Sequence, residues 1–215
     1  MGTGSDCEGI SASMKKMMLL GALLVCTATV GFAQESRQDV SASAYGLFGP
    51  EVHGAAGVTE NTTGALGFLG SYRYSVTPRS ALEVNYSFLQ NSDRYGNPSF
   101  GVNKLYVHSR QQEISGAYVY SHNYKNYNPF LEVGVGGIIF SPIKDFGTQV
   151  LSLKQNTNIG ALFGGGMAYE ISPSFDIRVE YRAFLLKAPD FGYANFKTNR
   201  YEVLSMPAIG VAYHF

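Results

Sequence analysis

Apolar and polar residues alternate with a period of two along much of the chain, most cleanly over residues 81–88. There Leu82, Val84, Tyr86 and Phe88 share one face, and Ala81, Glu83, Asn85 and Ser87 share the other. That pattern predicts a β-strand with one apolar side. Residues 175–185 repeat it, with Phe175, Ile177, Val179, Tyr181, Ala183 and Leu185 opposing Asp176, Arg178, Glu180, Arg182 and Phe184. A helix would scatter those charges around its circumference. Residues 65–76 alternate in the same way, and Thr77-Pro78-Arg79 then supplies a tight turn into the 81–88 strand. A second hairpin joins a strand over 159–169, through Ile171-Ser172-Pro173-Ser174, to the strand at 175. Weaker alternation predicts strands over 40–48, 113–120, 129–139 and 201–215, about eight in all.

The connections alternate in length. Long segments at 49–63, 90–110, 141–156 and 186–199 are separated by shorter ones at Pro78, 121–128 and Pro173. Long and short connections therefore gather on opposite rims. The predicted fold is all-β: a closed, antiparallel, up-and-down transmembrane β-barrel of about eight strands, whose even number returns both ends to one rim. No second domain is predicted.

Alternation alone does not say which face points outward. An apolar lining around a small ligand, as in a lipocalin-like barrel, is the competing fold. Large aromatics at strand ends, small and sparsely charged residues on the polar face and an aromatic final residue favour an apolar exterior. Under that orientation Arg73, Glu83, Glu113, Glu132, Asp176, Arg178, Glu180 and Arg182 all face the lumen. An eight-stranded barrel is just wide enough for side chains to fill, so a paired Glu and Arg network is expected to plug it, each carboxylate beside a cation. An ion path or gate is the functional alternative.

The first part of the chain reads as an export leader. Lys15-Lys16 precedes an apolar run, residues 19–30, too short to span a bilayer, and Gly31-Phe32-Ala33-Gln34 supplies a cleavage site between Ala33 and Gln34. The expected organisation is an N-terminal extension with signal peptide over 1–33 and a barrel domain over 34–215, with translation starting at Met1 or Met14. Cys26 sits inside the apolar run with Val25 before it, a poor lipoprotein site. With Cys7 it lies before the cut, so no disulfide or Cys metal site is expected in the mature chain. Cleavage removes Asp6, Glu8, Lys15 and Lys16, two of each sign, and leaves the chain formally neutral, which argues against nucleic-acid binding.

The leader, the alternating strands, Asn128-Pro129-Phe130-Leu131-Glu132-Val133-Gly134-Val135-Gly136-Gly137, Val179-Glu180-Tyr181-Arg182 and the final Ala212-Tyr213-His214-Phe215 resemble the outer-membrane β-barrel family, including small OmpA-like, OmpX-like and opacity-type barrels. The resemblance implies a place in the bacterial outer membrane, short periplasmic turns, long external loops and outer-membrane lipid as surroundings. It further implies that Ile209, Val211, Tyr213 and Phe215 form the C-terminal signal read by the barrel-insertion machinery. Since the chain has no Trp, Tyr and Phe must supply the interfacial belts.

Candidate chemistry is sparse. His108-Ser109 with Glu113 could be scanned as a nucleophilic site, but adjacent strand residues point to opposite faces. His53, His122 and His214 show no metal-ligand spacing. Gly164-Gly165-Gly166, Gly134 and Gly136-Gly137 lack the Lys-Ser/Thr and strand-to-helix context of a phosphate loop, and read as relief of crowding in a barrel wall. No catalytic residue, cofactor or metal is assigned. Tyr95, Tyr106, Phe146 and Phe191 in the long connections suit either contact with another surface or packing of loops on one another. The expected function is a non-enzymatic, structural or adhesin-like surface barrel contacting host, phage or neighbouring cells; a narrow solute pore and a lipid-modifying enzyme are the alternatives.

Overall fold

The computed structural model describes residues 37–54, 57–96, 105–144 and 153–215. The expected leader, its Ala33/Gln34 cut, both cysteines and Phe146 lie outside the described residues. The strands are β1 (Gln38–Leu47), β2 (Val52–His53), β3 (Thr59–Thr62), β4 (Ala65–Thr77), β5 (Ser80–Gly96), β6 (Leu105–Ser121), β7 (Tyr127–Pro142), β8 (Asn156–Ser172), β9 (Phe175–Lys187) and β10 (Tyr201–His214). Eight of them close into an antiparallel up-and-down barrel: each of β4 to β9 pairs with the next, and β1 seals the ring between β10 and β4. Closure leaves no sheet edge to face lipid, where an unpaired backbone group costs several kcal/mol.

The small strands β2 and β3 lie outside the ring, with β3 paired to the upper part of β5 through Glu60↔Tyr95 and Thr62↔Asp93. Two expected connections are therefore corrected. Segment 49–63 contains this small hairpin, and most of 90–110 is strand, because β5 and β6 stay paired from Ser80↔Tyr120 up to Tyr95↔Leu105. Outward positions of β5 change from Leu82, Val84, Tyr86 and Phe88 to Gln90, Ser92 and Arg94. Above the lipid band the outer face meets water, so apolar alternation fades while the hydrogen-bonded ladder continues. A spanning strand needs only about 9 to 11 residues, and β5 and β6 have 17 each.

Orientation is unambiguous. Leu82 and Val84 are 55% and 59% exposed, whereas Glu83 and Asn85 are 2% and 1% exposed. The apolar face is outside, which removes the lipocalin-like alternative. At the short-turn rim the outward face carries aromatics, with Tyr127 against Tyr169 (ring centres 5.1 Å apart) and Phe175 against Tyr213 (5.0 Å). Tyr and Phe thus form the interfacial belt there without Trp.

Candidate functional site

The lumen is filled at two levels by different chemistry. The lower level, toward the short turns, is built from the inward positions of β1, β4, β5, β6, β7 and β9. Arg73 Nε donates to Glu83 Oε2 at 2.7 Å. Arg178 Nη2 donates to Asp39 Oδ1 at 2.9 Å, while its Nη1 lies 3.7 Å from Glu83 and donates to Ser41 at 3.3 Å. Arg182 joins Glu113 at 2.9 Å and Glu132 at 3.3 Å. Ser87 and Ser115 donate to the two oxygens of Glu113, so that carboxylate accepts from three side chains. Arg73 and Arg178 both lie over the Phe130 ring, 4.7 and 5.7 Å from its centre. Gly164 makes room for the network: a Cβ there would stand 2.6 Å from Glu132 Oε1.

Each inner charge named from the sequence faces the lumen and is buried. Two departures concern pairing. Asp176 is joined to His214 at 2.8 Å rather than to an arginine, and Glu180 has no hydrogen bond or ion pair to a described residue. Asp176 thus has a histidine as its neighbour, and Glu180 stands near Arg182, Arg178 and Arg73 without a direct ion pair to a described residue. Asp39, the principal partner of Arg178, was missed, although Asp39, Ser41 and Ser43 alternate with Val40, Ala42 and Ala44 in β1. Ile209, Val211 and Tyr213 lie on the outward face of β10.

The upper level combines an apolar cluster with buried acids. Leu47, Leu89, Ile138, Phe140, Leu162, Phe184, Leu186 and Leu204 project inward, and Phe191 and Phe196, from the connection between β9 and β10, drop among them fully buried. Tyr95 stacks on Phe196 (ring centres 4.1 Å apart, planes 9° apart) and meets Phe191 edge-on at 6.2 Å. Phe191 therefore belongs to a packed connection and Tyr95 to the end of β5 that it packs on, whereas Tyr106 lies on the outer side beneath Arg94.

Beside these rings sit Glu60, Asp93 and Glu202, all buried, with no salt bridge among the described residues. Asp93 accepts from Thr62, Asn91 and Ser109 at 3.0–3.1 Å. All three acids lie beyond the segment that crosses lipid: Glu60 is on β3, Asp93 is past the polar switch at Gln90, and Glu202 is next to the outer end of β10. Burial pushes the Asp93 carboxyl up to about 6. Burial first, and then repulsion from Glu202 and Asp93, raises the Glu60 carboxyl, and burial with repulsion from Asp93 raises that of Glu202.

No nucleophilic site forms at His108-Ser109. Ser109 points inward to Asn91 and Asp93, while His108 lies on the opposite face of β6. Among the described residues no three His, Asp or Glu side chains converge as metal ligands, and no helix is long and apolar enough to cross a membrane.

A closed eight-stranded ring with an apolar exterior and a filled, charged interior defines a small outer-membrane barrel. Residues 18–215 match the family model described as outer membrane protein beta-barrel domain, and the chain belongs to that family and sits in the bacterial outer membrane. Solved structures agree on the fold. Neisserial surface protein A is 18% identical with a TM-score of 0.55, over 84% of this chain and 98% of that one. OprG from Pseudomonas aeruginosa is 10% identical with a TM-score of 0.58, over 85% and 98%. AlkL in lipid bilayers is 16% identical with a TM-score of 0.51, over 86% and 93%. No curated protein matches the chain in sequence.

Proposed function

We propose that this barrel is non-enzymatic and non-conducting, and that it acts at the cell surface through its external loops as a structural or adhesin-like protein. The observation that carries this reading is the double filling of the lumen. Arg178 and Arg182 sit fully buried in the lower level, and Phe191 and Phe196 in the upper. A solute would have to break the ion pairs and lift the aromatic connection, and desolvated pairs that lose one partner cost about 3 to 5 kcal/mol. The engagement of Ser109 with Asn91 and Asp93, with His108 on the opposite face of β6, supports the absence of hydrolytic chemistry. The eight luminal charges named from the sequence act, on this reading, as part of the plug, and Ile209, Val211, Tyr213 and Phe215 as the assembly signal.

Planar-bilayer recording at neutral pH tests the plug, with no resolved unitary steps expected; steady unitary conductance would replace it with the pore reading. Attachment to host cells, measured with non-adherent bacteria displaying the full chain, tests the surface role. Replacing 97–104 or 145–152 with Gly-Ser sequence should lower attachment while barrel assembly is retained. Unchanged attachment in both would remove the adhesin-like role, and altered lipid A masses in expressing cells would reinstate the enzyme.

A further inference from the structure

We infer that the connection between β9 and β10 is a proton-held latch, closed over the barrel mouth while Glu60 is a neutral acid and released when the Glu60, Asp93 and Glu202 cluster ionises. The inference rests on the plug reading above. Its geometric basis is the count of hydrogens around one hydroxyl. Tyr95 Oη lies 2.8 Å from Glu60 Oε1 and 2.9 Å from the carbonyl oxygen of Pro189. A phenol has a single hydrogen to donate. If Glu60 were a carboxylate, one of these two contacts would place oxygen lone pairs against each other. With a proton on Glu60, the acid donates to Tyr95, and Tyr95 donates to Pro189, the residue that starts the descent of the connection into the lumen.

The surroundings favour the neutral form. Glu60 Oε2 and both carboxyl oxygens of Glu202 are buried without a hydrogen-bond partner among the described residues, a placement that ionised groups tolerate poorly. The groups facing Glu60 are Glu202 from β10, Asp93 and Tyr95 from β5, and Asp190 from the connection itself. Among the described residues, the cations of the neighbouring elements, Arg94, Arg110, Lys154, Lys187, Lys197 and Arg200, are exposed, as are Glu51 and His53. Burial among these acids pushes the Tyr95 hydroxyl well up, so it remains a donor throughout.

The held segment is poised to leave. Phe191 is fully buried with a φ of 48°, a left-handed conformation that is an outlier for a bulky side chain and persists only where packing imposes it. Acids whose pKa is raised in the closed form bind protons more tightly there than in the open form. Closure is therefore fully supported below the ordinary carboxylate range and is lost as pH rises through the raised values, from about 6 at Asp93 upward.

Hydrogen exchange of the whole barrel in lipid nanodiscs, corrected for intrinsic exchange rates, reads the latch directly. The reporters are the amides of Ala188, Tyr193 and Phe196, bonded to Arg200, Asp190 and Tyr193, and that of Lys154, bonded to Phe191. From about pH 6 to about pH 9 their protection should fall at least about tenfold, while mid-strand amides of β7 and β8 keep theirs. Glu60→Gln with Glu202→Gln supplies neutral donors of the same shape and should abolish the fall. Tyr95→Phe should lower protection at the acidic end as well. Heat-modifiable gel mobility reports that each variant has formed the barrel. A flat wild-type profile, or a fall that survives in the double Gln variant, overturns the latch. So does recovery of protection at high pH on adding calcium to wild type alone, which would make the cluster a cation site. Unitary conductance at acidic pH would instead overturn the plug reading, which the exchange profile does not test.

Discussion

The lower and upper levels of the lumen hold buried acids in opposite ways. Below, Asp39, Glu83, Glu113 and Glu132 each have a guanidinium within 2.6–3.3 Å. Above, Glu60, Asp93 and Glu202 have hydroxyls, amides and aromatic rings around them and no salt-bridged cation among the described residues. The difference follows depth. Where the wall is surrounded by lipid, a carboxylate has no route to water, and a fixed cation, from the next strand or from across the lumen, is the remaining way to stabilise its charge. Beyond the lipid the strands continue in water, so an acid can take up or release a proton when the mouth moves. The lower level is thus a fixed plug, and the upper level is sensitive to its medium.

The largest expected effect comes from breaking the lower level. Arg178→Ala strands Asp39 and weakens the hold on Glu83, and should cost about 3 to 5 kcal/mol in urea unfolding followed in detergent or lipid. Combining it with Asp39→Asn should cost much less than the two single changes summed, because the pair is lost together. Additive energies would mean that the pair does not act as a unit. They would place the two levels on the same footing.

The outer wall provides the next contrast. Val84→Arg places a charge on the lipid face near mid-bilayer and should cost about 2 to 4 kcal/mol. Ser92→Arg, on the same face of β5 but beside Arg94 in the water-facing part, should change stability by less than about 0.5 kcal/mol. Folding yield into lipid vesicles separates them. Equal tolerance would place the lipid boundary elsewhere on β5.

Sequence reading reached the lower level further than the upper one, and the reason is physical. In the lipid zone each strand has an apolar outside and a polar inside, so Glu83, Arg178, Glu180 and Arg182 could be assigned to the lumen from period two alone. Above Gln90 both faces become mixed. Tyr95 and Asp93 then look like loop residues, although they sit on a paired strand. Glu60 comes from a short strand outside the ring and Glu202 from the far end of the chain, and only the closed register brings them beside Tyr95. Even below, alternation indicates which face a charge occupies but not its partner. Thus Asp176 pairs with His214, and Glu180 stands unpaired among the described residues.

The smallest expected effect is also the one that separates the two levels by sign. Glu83→Gln and Glu202→Gln are the same chemical change at equally buried positions, 2% and 3% exposed. Below, removing the charge leaves Arg73 and Arg178 short of a partner and must destabilise. Above, Glu202 has no partner to lose among the described residues, both of its oxygens being unbonded, and its amide replacement cannot ionise beside Glu60 and Asp93. At about pH 6 the replacement should therefore be nearly neutral. As pH rises the wild-type mouth loses stability through its raised carboxyls while the variant loses less, so Glu202→Gln should become stabilising, by about 1 kcal/mol near pH 9. Urea midpoints for both variants across that range measure the two slopes. A Glu202→Gln protein destabilised by the same amount at every pH would mean that an unseen partner holds this carboxylate, and the upper level would then be a second ion-paired plug.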